Sequence, residues 1–182
     1  IKECDWSSDV CSSDLKCEWC LIGKRKKPAP LFTQGMSPYF LNAQQVEFIL
    51  RNELLPQLPD TPVEEVYYYG TGCVNPANVR MITGVLKKVF PGAYVFVSSD
   101  LFGAARALCG TQAGLACILG TGSNSGYYNG SRIAKNSPGL GYVLGDEGSG
   151  AYLGKKSFNI ICTGPLMRRC VTGSTSNTGW MR

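Results

Sequence analysis

The sequence predicts a mixed α/β domain. Three observations carry that expectation: β-rich runs alternate with segments of helical periodicity, hairpin patterns stand at both ends of that stretch, and glycine-rich turns follow the strands. Trp19-Cys-Leu-Ile-Gly23 and Pro30-Leu-Phe-Thr33 flank a basic turn and read as a hairpin. Asn42 caps a helix and Gln45 completes the capping box; Val46, Ile49, Leu50 and Leu54 then recur at spacings of three and four. Pro56 and Pro59 end it. Val66-Tyr-Tyr-Tyr69 is a strand, halted by a Gly70-Thr71-Gly72 turn.

Asn75-Pro76 opens a second helix, with proline at the first helical position. Its apolar stripe is Val79, Ile82, Leu86 and Val89, and Pro91-Gly92 closes it. Tyr94-Val-Phe-Val97 is a strand, Leu101 to Cys109 a short alanine-rich helix, and Leu115 to Leu119 another strand. Ser125–Tyr128 and Arg132–Ala134 form a hairpin around Asn129-Gly130, a strong two-residue turn signal. Glu147 to Lys156 reads as helical.

Composition sets the bounds. The 182 residues suffice for one domain with a sizeable core, and 44% hydrophobic against 17% charged residues describes a globular protein. No apolar run is long enough to cross a bilayer and no signal peptide is readable, so neither a membrane nor an export route is expected. Lys24-Arg-Lys-Lys27 supplies four charges of the net +5 in one turn, without the interleaved aromatics that nucleic-acid binding favours, so no nucleic acid is expected. Histidine is absent, which removes Ser-His and Cys-His catalysis and leaves Asp or Glu as general base. Of the nine cysteines, Cys4, Cys11, Cys162 and Cys170 lie in atypical end segments, and Cys20, Cys109 and Cys117 in apolar or helical surroundings. Cys17 and Cys20 make a lone Cys-x-x-Cys with no second pair. Reduced thiols in a cytoplasmic setting follow.

Both ends break the pattern. Asp5 to Leu15 repeats Ser-Ser-Asp and reads as the translation of a sequencing adapter, which sets residues 1–15 aside as non-native. From Ser157 the pattern lapses towards Gly173-Ser-Thr-Ser-Asn-Thr-Gly179, so residues 157–182 read as a disordered, out-of-frame tail. Residues 16–156 remain as one lobe.

Three places could carry chemistry. Asp100 follows a strand and precedes a helix, at the sheet edge where open α/β sheets bind ligands; it could equally be that helix's N-cap. Gly120-Thr121-Gly122 ends the next strand, where amide groups suit a phosphate, or where a tight turn is all that is needed. Asp146 and Glu147 stand among glycines, as ligands or as favourable charges at a helix start. Asp100 and the glycine turn are expected to share one cleft.

Val95–Leu108 with Ser99-Asp100, Leu119-Gly-Thr-Gly-Ser-Asn-Ser125 and Gly141-Tyr-Val-Leu-Gly-Asp-Glu-Gly-Ser-Gly150 resemble the BadF/BadG/BcrA/BcrD-type ATPase family, in its N-acetylglucosamine-kinase-like branch. The resemblance covers roughly residues 16–156. It implies an incomplete lobe of a ribonuclease-H-like, actin-like ATPase: a mixed sheet with flanking helices. Asp100 then matches the base that takes a proton from a sugar hydroxyl, and Gly120, Thr121 and Gly122 the second phosphate loop. Ser123, Asn124, Gly145, Asp146 and Glu147 match residues about the amino sugar. Lys16-Cys17-Glu18-Trp19 is what remains of the first phosphate loop, with Lys16 its phosphate contact; the loop's acidic half and the first strand are replaced by the adapter-like stretch. ATP and Mg²⁺ are the implied cofactors, a small sugar the partner, and a homodimer is compatible with the full-length protein.

The resemblance also has departures. Gly35-Met-Ser37-Pro38 stands where relatives carry asparagine in a sugar-contacting turn, and the adenosine-binding second lobe is not in the chain. The chain as given is therefore expected to be inactive. Two other functions fit the superfamily: an ATPase activating a radical dehydratase, and a non-catalytic sugar-binding regulator.

Overall fold

A computed structural model describes residues 16–22, 30–60, 62–137 and 141–163. Seven strands and five α-helices are described: β1 (Lys16–Cys20), β2 (Pro30–Gln34), α1 (Ala43–Ile49), β3 (Glu65–Gly70), α2 (Pro76–Val89), β4 (Tyr94–Ser99), α3 (Asp100–Cys109), β5 (Ala113–Leu119), β6 (Ser123–Asn129), β7 (Ile133–Ser137), α4 (Gly141–Leu144) and α5 (Gly150–Thr163). The mixed α/β class stands. Among the described residues the strands hydrogen-bond in three ladders, β1-β2, β3-β4 and β5-β6-β7. The adapter-like segment, the basic turn at 24–27 and residues 164–182 lie outside the described residues.

Contacts divide the chain into two units, Ile1–Ile118 with Ser125–Asn136, and Leu119–Asn124 with Ser137–Arg182. The expected lobe of residues 16–156 contributes to both.

In the first unit β1 pairs antiparallel with β2, Lys16 opposite Gln34 and Cys20 opposite Pro30. Trp19 Nε1 donates to Thr33 Oγ1 at 3.1 Å, fixing the indole on the hairpin. Asn42 caps α1 and the reciprocal bonds of the capping box are both present, Gln45 N–H to Asn42 Oδ1 at 3.0 Å and Asn42 N–H to Gln45 Oε1 at 2.9 Å. The helical path does not stop at Pro56. It widens to a π-turn over Leu50–Leu54 and tightens to a 3₁₀ turn over Leu55–Gln57. Proline cannot donate to the α-ladder but tolerates the opening turn of a new helix, so the chain changes hydrogen-bond spacing rather than direction.

β3 and β4 run parallel, in register from Glu65 opposite Tyr94 to Gly70 opposite Ser99. α2 connects them, as the βαβ crossover requires. Val46, Ile49, Leu50 and Leu54 from the first helical segment meet Ile82, Val85, Leu86 and Val89 of α2 over Val66 and Tyr68 of β3, forming the larger core. Leu101 and Ala105 of α3 with Ala116 and Tyr128 form the smaller one.

Candidate functional site

The parallel register of β3 and β4 fixes the first site group. Because Gly70 faces Ser99, the next residues along the chains, Thr71 and Asp100, emerge side by side at the carboxyl edge. The Thr71 hydroxyl donates to Asp100 Oδ2 at 3.3 Å, and Asp100 Oδ1 accepts the Leu101 N–H at 2.8 Å. Asp100 is not the cap of α3. Ser99 holds that position, its Oγ accepting the Phe102 N–H at 3.3 Å, and Asp100 is the first helical residue. One residue of register therefore separates the cap from the carboxylate at the sheet edge. That carboxylate also faces the helix N-terminus, where negative charge is favoured.

Gly70-Thr71-Gly72 is more than a stop signal. Cys73 N–H returns to Gly70 O at 3.2 Å, and Gly72 adopts φ +79°. A Cβ on Gly72 would lie 2.8 Å from Tyr39 Cε2 and 3.2 Å from Pro38 Cγ, so only glycine lets the Pro38-Tyr39 segment lie against this turn. Next to that segment, Ser37 is buried and its Oγ has no hydrogen-bond partner among the described residues. Cys73 is buried as well; loss of hydration pushes its thiol up to about 11, with the Asp100 charge adding to the rise. It is a packed thiol, not a nucleophile. Thr71 and Cys73 are the members of this group that sequence reasoning left out; the Gly-Thr-Gly pattern at the end of a strand was their signal.

The second unit holds the second group. The turn Gly120-Thr121-Gly122 closes on itself through Gly120 N–H to Gly122 O at 2.9 Å. Asp146 lies against it: a Cβ on Gly122 would stand 3.0 Å from Asp146 Oδ2. Asp146 has φ +60°, the one non-glycine residue with positive φ among those described. Gly148 follows at φ +78°, and the backbone breaks there rather than entering a helix. The helix expected from Glu147 instead begins at Gly150 and runs on to Thr163; Glu147 belongs to the turn before it. Ser149 is fully buried and its Oγ accepts the Tyr152 N–H at 3.1 Å, capping α5. The leading amides of α5 then reach the glycine turn, Gly150 N–H to Gly120 O at 2.8 Å and Ala151 N–H to Thr121 O at 3.3 Å.

The remaining expected residues are distributed around these groups. Ser123 opens β6 and is half-buried, as is Asn124, whose Oδ1 is buried without a partner among the described residues. Gly145 is buried, and with Glu147, Tyr152, Lys155 and Lys156 it borders an open depression of about 240 Å³ that neither the glycine turn nor Asp146 lines. Lys16 starts β1 in the first unit with its Nζ 5.5 Å from the centre of the Phe32 ring. Thus the structure places Asp100 beside Thr71 in one unit, and Gly120, Thr121 and Gly122 beside Asp146 in the other.

The residues present fit a phosphate. No heavy atom outside the adjoining residues lies within 4 Å of where a Cβ on Gly120 would stand, so that backbone is approachable, and amides are its donor set. Among the described residues no three Cys, Asp or Glu side chains come together to hold a metal ion, and no helix is long and apolar enough to cross a membrane.

No family model and no curated protein matches the chain. Solved structures do. One is a candidate N-acetylglucosamine kinase from Porphyromonas gingivalis, 38% identical with a TM-score of 0.76, the match covering 88% of this chain and 60% of that one. A candidate N-acetylglucosamine kinase from Chromobacterium violaceum is 20% identical with a TM-score of 0.58, covering 91% of this chain and 62% of that one; at that identity the likeness concerns the fold. The chain therefore spans about 60% of the length of these relatives. With a parallel βαβ unit, flanking helices and a glycine turn braced by a helix, this chain is an α/β protein of the actin-like ATPase fold, similar over most of its length to a candidate N-acetylglucosamine kinase.

Proposed function

We propose that the protein from which this chain derives transfers the γ-phosphoryl group of ATP to a hydroxyl of an amino sugar, within the N-acetylglucosamine-kinase-like branch of the BadF/BadG/BcrA/BcrD-type ATPases. The observation that carries this reading is Asp100: a carboxylate at the carboxyl edge of a parallel strand pair, relieved of capping by Ser99 and approached by the Thr71 hydroxyl. The 38% identity to the Porphyromonas gingivalis protein over 88% of this chain supports it.

Asp100 accepts the proton of the sugar hydroxyl, and Thr71 holds the carboxylate in place. The amides of Thr121 and Gly122 take phosphate oxygens; Asn124 and Asp146 orient the sugar, with Ser123, Gly145 and Glu147 lining its site. Lys16 is kept as a phosphate contact. Mg²⁺, carried by ATP, neutralises charge between the phosphates. In this reaction positioning and electrostatics supply most of the acceleration.

The chain as given has no measurable turnover in this reading, because it spans about 60% of its relatives and one phosphate turn leaves a nucleotide few contacts. Losing 4 kcal/mol of transition-state binding alone slows a reaction about a thousandfold. A coupled ADP-release assay with N-acetylglucosamine checks this; turnover by the chain would refute it. In the full-length protein, Asp100→Asn should lower kcat roughly 10²–10⁴-fold while sugar affinity by calorimetry holds. Retained kcat would remove Asp100 as the general base; sugar binding without turnover in the full-length protein would replace the kinase reading with a sugar-binding regulator.

A further inference from the structure

We propose that Ser149 is a positioning residue for the glycine turn, acting through the first turn of α5 to aim two backbone amides at a phosphate. The inference rests on the kinase reading for the identity of the anion, and on local geometry for the rest.

The chain of contacts lies within one unit. Ser149 is fully buried, and its Oγ and carbonyl accept the Tyr152 and Leu153 N–H groups at 3.1 and 2.9 Å, fixing where α5 starts. That start brings the Gly150 and Ala151 N–H groups to the carbonyls of Gly120 and Thr121, at 2.8 and 3.3 Å. Gly150 permits the approach: a Cβ there would stand 3.3 Å from Gly120 O.

The consequence follows from peptide geometry. No peptide bond described is cis, and across a trans peptide the carbonyl of one residue points opposite to the N–H of the next. With the Gly120 and Thr121 carbonyls held by α5, the N–H groups of Thr121 and Gly122 must both point away from that helix. Neither has a hydrogen-bond partner among the described residues. Two adjacent amides aimed the same way form an anion-binding concavity. The leading amides of α5 are spent on carbonyls, so this helix does not take the phosphate itself; it turns the preceding loop into the receptor.

The test uses the full-length protein, with MgADP as the phosphate probe. Amide exchange by NMR reads the brace directly. Ser149→Ala should speed exchange at Gly150 and Ala151 about five- to tenfold, the effect of a lost cap, while α2 amides keep their rates. Ser149→Thr, which retains the hydroxyl, should restore the slow rates. MgADP affinity should fall by a similar factor in Ser149→Ala and recover in Ser149→Thr. Asn75→Ala, which removes the cap of α2, controls for a merely structural loss and should leave MgADP affinity unchanged. Unchanged exchange at Gly150 and Ala151 in Ser149→Ala overturns the brace, as does an equal loss of affinity in Asn75→Ala. If the full-length parent fails to bind MgADP, the nucleotide reading fails, and the exchange rates still decide the brace.

Discussion

At the scale of single residues, Asp100 and Gly122 show how one atom decides a site. The strand-then-helix pattern made Asp100 legible as a carboxylate at the carboxyl edge of the strand pair, but not as the residue after the cap. Ser99 and Asp100 are both good caps, and a register difference of one residue has no signature in the sequence. Thr71 was hidden for a related reason: Gly-Thr-Gly satisfies the requirements of a turn, so its hydroxyl needed the β3–β4 register to be placed. The glycines of the second turn are not equivalent. Gly120→Ala meets open space, whereas Gly122→Ala drives a methyl group against Asp146 Oδ2. We expect Gly122→Ala to cost about 1–3 kcal/mol in urea denaturation and to shift the Asp146 carboxyl ¹³C resonance. Gly120→Ala should stay within about 0.5 kcal/mol and leave that resonance alone. Equal effects would place Asp146 elsewhere.

Among the elements, the helices were read by period and caps, and their ends were least legible. The Asn42–Gln45 box and the Asn75-Pro76 start appear where the sequence put them. Pro56 and Pro59 are expected to end the first helix; the chain passes Pro56 by changing hydrogen-bond spacing and leaves the helical path at Gln57, before Pro59. The start of α5 moved from Glu147 to Gly150 because Asp146 and Gly148 leave helical φ, a conformation that Asp tolerates but does not announce.

Between α1 and α2, Glu47 joins Lys88 at 2.6 Å and Arg51 at 2.9 Å. The hydrogen bonds from Lys88 and then Arg51 hold its carboxyl below the ordinary 4.5. A carboxylate whose folded pKa is depressed contributes stability above its unfolded pKa, and loses it as pH falls through the folded value. The stability difference between the parent and Glu47→Gln should therefore be present at pH 7, start to shrink below the ordinary value of 4.5, and be lost as pH falls through the lower folded value in urea titrations. Added salt should shrink it at pH 7. A difference that persists at pH values low enough to protonate the carboxyl in both states would show that packing, not charge, links these helices.

For the molecule as a whole, fold class was the most legible property, since alternation of strand and helix periods depends on many residues at once. The division of contacts into two units was not legible, because it falls inside the uninterrupted apolar run of β5, between Ile118 and Leu119. The larger core belongs to the first unit, and Leu86 is fully buried at its centre. Leu86→Ala should destabilise that unit by roughly 2–5 kcal/mol, a large share of the stability of any domain of this size. Hydrogen exchange should report the loss at Val46 and Val66, both in the same core. An even loss over every protected amide, α5 included, would mean that the two units unfold as one.

The left-handed backbone at Asp146 carries a consequence for thermal behaviour. The side chain of Asp146 makes no hydrogen bond among the described residues, so its removal forfeits none, whereas its φ of +60° is a conformation that glycine adopts freely. Asp146→Gly should release about 1 kcal/mol of torsional energy, partly offset by a looser unfolded chain, and the melting midpoint by calorimetry should hold or climb by a few degrees. A midpoint that holds or climbs would show that the fold draws no stability from this carboxylate. A falling midpoint would instead make Asp146 part of the scaffold.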